Sequence, residues 1–139
     1  MKIRDALFAL LVVMIAAIGL YLIKGDGVEK ITADQLAKKI NQDLKAPRML
    51  DDEVRLDGIV AVGNAVEFKA TLVNFNQFTI PSTVKRTLDR TMRRWICAGF
   101  DQDPKMTQGM KKSHLELSFK YYNSTGMILY GLTMMPEDC

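Results

Sequence analysis

The chain has 139 residues, of which 48% are hydrophobic and 25% charged, a balance that excludes a disordered, collagen-like or multipass membrane protein and suits one domain. The formal net charge is +3, but Lys2, Arg4 and Lys24 flank an uncharged run, and from Gly25 onward sixteen basic residues stand against fifteen acidic ones. A part so near neutrality is no bulk polyanion binder, so nucleic acid is not an expected partner.

Ala6 to Ile23 (ALFALLVVMIAAIGLYLI) is eighteen residues without a charge. A helix of that length, rising about 1.5 Å per residue, reaches about 27 Å, enough to cross a bilayer. Lys2 and Arg4 should keep its start in the cytoplasm and export everything beyond Lys24. The expected division is a membrane anchor or uncleaved signal at 1–24, a linker at 25–31 around Gly25-Asp26-Gly27, and an exported domain at 32–139. The localisation this implies is the bacterial inner membrane, single-pass, with the C-terminal domain in the periplasm. Two rivals remain: a cleaved signal peptide, with the small residues of Ala17-Ile18-Gly19 near a cleavage site, and a buried helix of a cytosolic domain. Leu20-Tyr21-Leu22-Ile23 keeps the segment apolar beyond that site, which favours the anchor.

Thr32 followed by Gln35 reads as a capping box, and Leu36, Ile40 and Leu44 recur every four residues, so a helix is predicted from about Thr32 to Leu44. Pro47 ends it. Val54, Leu56, Val60 and Val62 then alternate with Arg55, Asp57, Ile59 and Ala61, the period of a strand. Gly63-Asn64 suits a tight turn into a second strand, in which Val66, Phe68, Ala70 and Leu72 alternate with Glu67, Lys69 and Thr71. Phe75 and Phe78, in the connection that follows, are expected to pack back on the sheet.

Pro81 and Ser82 open a second helix with Val84, Leu88, Met92 and Trp95 as its apolar stripe and Arg86, Arg90, Arg93 and Arg94 on other sides. Gly99 should stop it, and Asp101 to Gly109 (DQDPKMTQG) reads as a loop. Leu115, Leu117, Phe119 and Tyr121 form a further alternating run, and after a turn at Asn123-Ser124-Thr125-Gly126 a last strand carries Ile128, Tyr130, Leu132 and Met134. The predicted fold class is α+β: an N-terminal transmembrane helix, then a small α-β-β-α-β-β domain with an antiparallel sheet of about four strands and helices on one face.

Cys97 and Cys139 are the two cysteines, and both fall on the exported side. An exported pair is usually a disulfide, although two unrelated thiols remain the alternative. Closing a loop of about 43 residues would contribute about 4 kcal/mol on the chain-entropy estimate.

Candidates for chemistry are few. His114 stands alone on the polar side of a predicted strand, and no local spacing sets a serine or carboxylate beside it. Asp51-Asp52-Glu53 and Asp101-Gln102-Asp103 lack the glycine and glutamate of a calcium loop, and no phosphate-binding glycine loop is present. No catalytic residue, metal or cofactor is assigned, and no small-molecule substrate is expected. Asn123-Ser124-Thr125 matches a glycosylation sequon but reads more simply as a turn. Met127, Met134 and Met135 read as core. The densest charge feature is the arginine set of the second helix, with Arg86, Arg90 and Arg93 as the candidate partner-binding residues.

From Arg90 to Cys139 the chain resembles the small α/β pilotins of type II secretion. The likeness rests on an amphipathic helix running into a cysteine (Trp95-Ile96-Cys97), a loop ending at Gly109 before a strand, a turn with Gly126, and the closing Cys139. It implies an α/β fold with a disulfide and a chaperone that binds a protein partner, a helix of the secretin in those pilotins. Pilotins are typically lipoproteins, and no lipid-accepting cysteine follows Gly19 here. The function this suggests is a non-enzymatic, membrane-anchored periplasmic interaction module, an accessory of a secretion, pilus or conjugation apparatus. The alternative is a phage- or plasmid-borne exclusion or immunity protein of the cell envelope. Either would take a protein partner there, with the N-terminal helix in the membrane.

Overall fold

The computed structural model describes residues 32–139, with one side chain, that of Met106, left out. Its first helix, α1, spans Ala33–Leu44. Thr32 caps it in both directions: its hydroxyl accepts from the Gln35 N–H at 3.1 Å, and its own N–H donates to Gln35 Oε1 at 3.2 Å. Leu36, Ile40 and Leu44 are buried along one stripe with Ala33 and Ala37, so the helix is held by what it covers more than by propensity. Lys45 turns left-handed at φ 53° and ends it.

Five strands follow in one sheet of order β1-β2-β3-β4-β5. They are β1 (Arg48–Met49), β2 (Val54–Val62), β3 (Ala65–Leu72), β4 (Glu116–Tyr122) and β5 (Ile128–Met134). Between β3 and β4 lie two helices, α2 (Ser82–Gln102) and α3 (Pro104–Ser113), and a short 3-10 turn, Pro136–Asp138, follows β5. The buried residues of α1, α2 and α3 form one core cluster with Val66, Phe68, Ala70, Leu117, Phe119 and Leu132 of the sheet. Phe68 and Phe119 are directly paired in the register, and their rings stack at 5.2 Å between centroids.

The predicted fold class is corrected in three respects. The sheet has five strands, the added one being the exposed two-residue β1, too short to leave a periodic signal. It is mixed rather than antiparallel: β3 and β4 run parallel, with Phe68 opposite Phe119. The chain between them crosses the sheet through α2 and α3 and re-enters in the same direction, the route parallel neighbours require. The expected loop at Asp101 to Gly109 is mostly α3, with Pro104 at its start, where a missing N–H costs nothing. The Thr107 hydroxyl ties this helix back to the Phe100 carbonyl at 2.7 Å, and Met110 anchors it in the core.

The third correction concerns the transmembrane helix and, with it, the single-pass inner-membrane localisation and periplasmic placement. No helix among the described residues is long and apolar enough to cross a membrane. The longest, α2, has 21 residues and carries Lys85, Arg86, Arg90, Arg93 and Arg94. The apolar run Ala6 to Ile23, like the boundaries at 24 and 31, lies outside the described residues.

Side-chain direction also departs from simple alternation. A β-bulge shifts the β2 register between Leu56 and Gly58. One extra residue reverses which side chains point inward. Ile59 is therefore buried opposite Phe68, while Val60 and Val62 stand 40% and 54% exposed on the other side of the sheet. Of the connection residues, Phe75 packs against the core, whereas Phe78 is 64% exposed.

Candidate functional site

The second helix supplies the core with Leu88, Met92, Ile96 and Phe100, a row repeating every four residues. The predicted stripe of Val84, Leu88, Met92 and Trp95 is half right: Leu88 and Met92 are buried, but Val84 and Trp95 are each 38% exposed. Ser82 to Thr87, nearly two turns, are all exposed. The opening of the helix therefore stands clear of the core, and its inward residues begin at Leu88.

Of the three arginines expected to meet a partner, Arg86 and Arg90 lie exposed one turn apart, with no ion-pair partner among the described residues. Arg93 is otherwise engaged. Its Nε donates to Asp89 Oδ2 at 2.8 Å, and the Tyr130 hydroxyl of β5 donates to Asp89 Oδ1 at 2.8 Å. Burial works against the Asp89 carboxylate, but the hydrogen bonds from Arg93 and Tyr130 and the charges of Arg93 and Lys85 hold it below its ordinary pKa. Burial, then the bond to Asp89, pushes the Tyr130 hydroxyl up, so it stays a donor at any physiological pH. This group fastens α2 to the edge of the sheet. The continuation of the exposed row falls instead to Arg94, exposed one turn beyond Arg90. The spacing of Asp89 and Arg93, acid four residues before base, was visible in the sequence; the contribution of Tyr130, far along the chain, was not.

Cys97 and Cys139 are joined, with S–S 1.99 Å and Cα atoms 5.6 Å apart. The bond ties the end of the chain, just beyond the 3-10 turn, to the C-terminal half of α2. Two attachments, covalent at Cys97 and hydrogen-bonded at Asp89, thus fix the helix.

The remaining candidates have structural employment. His114 precedes β4 rather than lying on it; at φ 53° it closes α3, its N–H donating to the Lys111 carbonyl at 3.2 Å. Asp51 Oδ1 accepts from the N–H groups of Glu53 and Val54, both at 2.8 Å, and so starts β2. Among the described residues no group of acidic, cysteine or histidine side chains is arranged to hold a metal. Asn123 of the sequon is fully buried. Its Oδ1 accepts from the N–H groups of Thr125 and Met127, and its Nδ2 donates to the Gln77 carbonyl at 3.0 Å, so the nitrogen that glycosylation would use is committed.

The side of the sheet away from the helices is polar at its centre. Glu67, itself buried, is paired with Lys120 at 2.7 Å and Lys69 at 3.8 Å. Asp57, in the bulge, accepts from Arg55 Nε at 2.6 Å and from the Thr71 hydroxyl. These pairs satisfy one another.

No protein-family model matches the chain, and no curated protein matches it in sequence. Solved structures do. A secreted-protein candidate of Pseudomonas aeruginosa shares 12% identity over 83% of this chain and 99% of its own, with a TM-score of 0.54, which shows a common fold. The pilotin EpsS of the Vibrio vulnificus type 2 secretion system shares 14% identity over 77% of this chain and 91% of its own, at a TM-score of 0.47. The type II secretion pilotin AspS of Vibrio cholerae shares 12% over 77% and 88%, at 0.45. Two of the matched structures are therefore pilotins of type II secretion.

Proposed function

We propose that this chain is a non-enzymatic interaction module, an accessory of a secretion apparatus acting in the manner of a pilotin by holding one protein partner. The observation that carries the reading is the placement of α2. A helix whose first six residues are all exposed gains little from folding there, because short helical segments are marginal in water without packing. Arg86 stands on that stretch and Arg90 one turn beyond it, both exposed and with no ion-pair partner among the described residues. Phe78, in the connection before the helix, and Val84, in its first turn, are exposed apolar residues. Apolar contacts with a charged border are the make-up of a protein docking surface.

Arg86 and Arg90 are the partner-facing residues in this reading, and Arg93 contributes by setting the pose of the helix. The secretion role rests on the pattern Trp95-Ile96-Cys97, Gly109, Gly126 and Cys139. The names of the pilotin neighbours state the role to be tested.

Deleting the gene in its own host tests it. The expected result is a lower amount of assembled secretion channel, restored by the wild-type gene and not by a version lacking 82–139. Normal channel assembly and normal export in the deletion strain would overturn the secretion role.

A further inference from the structure

Two neighbouring rows run along the outer side of α2. One is Arg86, Arg90 and Arg94, each four residues from the next, all exposed and without an ion-pair partner among the described residues. The other, one residue further on, is Thr83, Thr87, Thr91 and Trp95. Its two middle hydroxyls are turned inward: Thr87 Oγ1 donates to the Thr83 carbonyl at 3.0 Å, and Thr91 Oγ1 to the Thr87 carbonyl at 2.7 Å. Threonines bonded back to their own helix in this way present methyl groups to the outside. The second row is therefore an apolar ridge, continued by Val84 at one end and Trp95 at the other, each 38% exposed.

Between adjacent rows of side chains lies a groove of the sort into which a row from another segment packs. One wall here is cationic and the other apolar. Asp89, the nearest acid on the helix, is spent on Arg93 and Tyr130, so nothing within the arginine row offsets its charge. Three guanidiniums at successive turns complement carboxylates of the same spacing.

We propose that this groove, Arg86-Arg90-Arg94 against Thr87-Thr91-Trp95, docks an acidic amphipathic segment of a partner protein, with carboxylates on the arginines and apolar side chains on the threonine methyls and the indole. The proposal rests on the reading of the chain as a protein-binding module and names the chemistry of what it binds. Lipid headgroups would also meet the arginines, but the apolar ridge is one line of small methyls ending in a single indole, shaped for a narrow segment. Arg93 is not part of the groove.

Trp95 is the one tryptophan of the chain, so its fluorescence reports occupancy. The full chain is titrated with a synthetic helical peptide carrying glutamates one turn apart beside a leucine row, with the same peptide bearing glutamines, and with phosphatidylglycerol vesicles. The expected result is a saturable change in emission with the glutamate peptide, weakened by salt. It should be at least about tenfold weaker with the glutamine peptide or with Arg86, Arg90 and Arg94 all changed to Ser, as the loss of charge-assisted contacts requires. Lys112→Ser, which removes an exposed lysine of α3 outside the arginine row, checked for folding by circular dichroism, should bind within about twofold of wild type. Equal response to both peptides, or a response to vesicles alone, overturns the proposal. The two readings fail separately: normal channel assembly without the gene removes the secretion role, whereas a peptide that does not bind removes only the acidic groove.

Discussion

The side-chain carbonyl of Asn41 on α1 accepts the backbone N–H of Ile59 at 3.2 Å. The bulge in β2 disturbs the ladder just before Ile59, and the helix lying over that strand supplies the acceptor. Asn41→Ala would leave this inward-facing N–H unpaired, at a cost of about 1–3 kcal/mol. Urea unfolding of the oxidised protein should show a lower midpoint with an unchanged slope. An unaltered midpoint would mean that water takes the place of Asn41.

Tyr130→Phe removes the hydroxyl that donates to Asp89 and nothing else. A hydrogen bond to a carboxylate is worth about 1.5–3 kcal/mol, and the partial exposure of Asp89 places this one at the lower end. The loss should appear in thermal unfolding without a change in secondary structure.

A pH dependence follows from the same group. The Asp89 pKa is lowered in the folded chain from its ordinary value of 3.8. A group whose folded pKa is depressed adds stability above the unfolded value and loses it as the pH falls through the folded one. Wild type should therefore lose part of its stability on acidification below the ordinary carboxylate range, and Asp89→Asn should lose less over that interval. Parallel acid curves for the two proteins would contradict the assignment.

The disulfide gives a fourth test. Cys139→Ser opens a loop of 42 residues' separation and should cost about 2–5 kcal/mol. Thiol titration of denatured, unreduced wild type should find no free thiol. If the substitution leaves stability unchanged, the end of the chain is held by other contacts.

On the open side of the sheet, Lys120 neutralises the buried Glu67 carboxylate. Its own pKa is raised, first by that hydrogen bond and then by the charge of Glu67. Lys120→Ala should destabilise the chain, and adding Glu67→Gln should restore part of the loss, because the second change removes the stranded charge. Simple additivity of the two would show that Lys69 alone is enough for Glu67.

How much of this could be read in the sequence varied with the range of the interaction. The capping box at Thr32 and Gln35 and the turn at Gly63-Asn64, where Gly63 takes φ +59°, are local and were legible. The alternation of Val54, Leu56, Val60 and Val62 was visible but misleading, because the bulge at Asp57 turns Val60 and Val62 outward while the letter pattern runs on unbroken. The parallel pairing of β3 with β4 depends on where a crossing of more than forty residues comes down, which no period of two or 3.6 encodes. In α3 the polar residues and Gly109 hid a helix that tertiary contact at Met110 supports. At the candidate site, Arg86 and Arg90 were singled out by charge density alone, and the structure places both exposed on α2. The bond of Arg93 to Asp89 was legible in their spacing, whereas the arrival of Tyr130 beside Asp89 was not.

The central claim is that the outer side of α2 meets a protein, and crosslinking from that side in the living host tests it most directly. A photo-reactive amino acid in place of Thr87 should give one discrete adduct with a component of the secretion apparatus, while the same group in place of Val60, on the far side of the sheet, should give none. An adduct from Val60 and none from Thr87, or adducts only with lipid, would contradict the account.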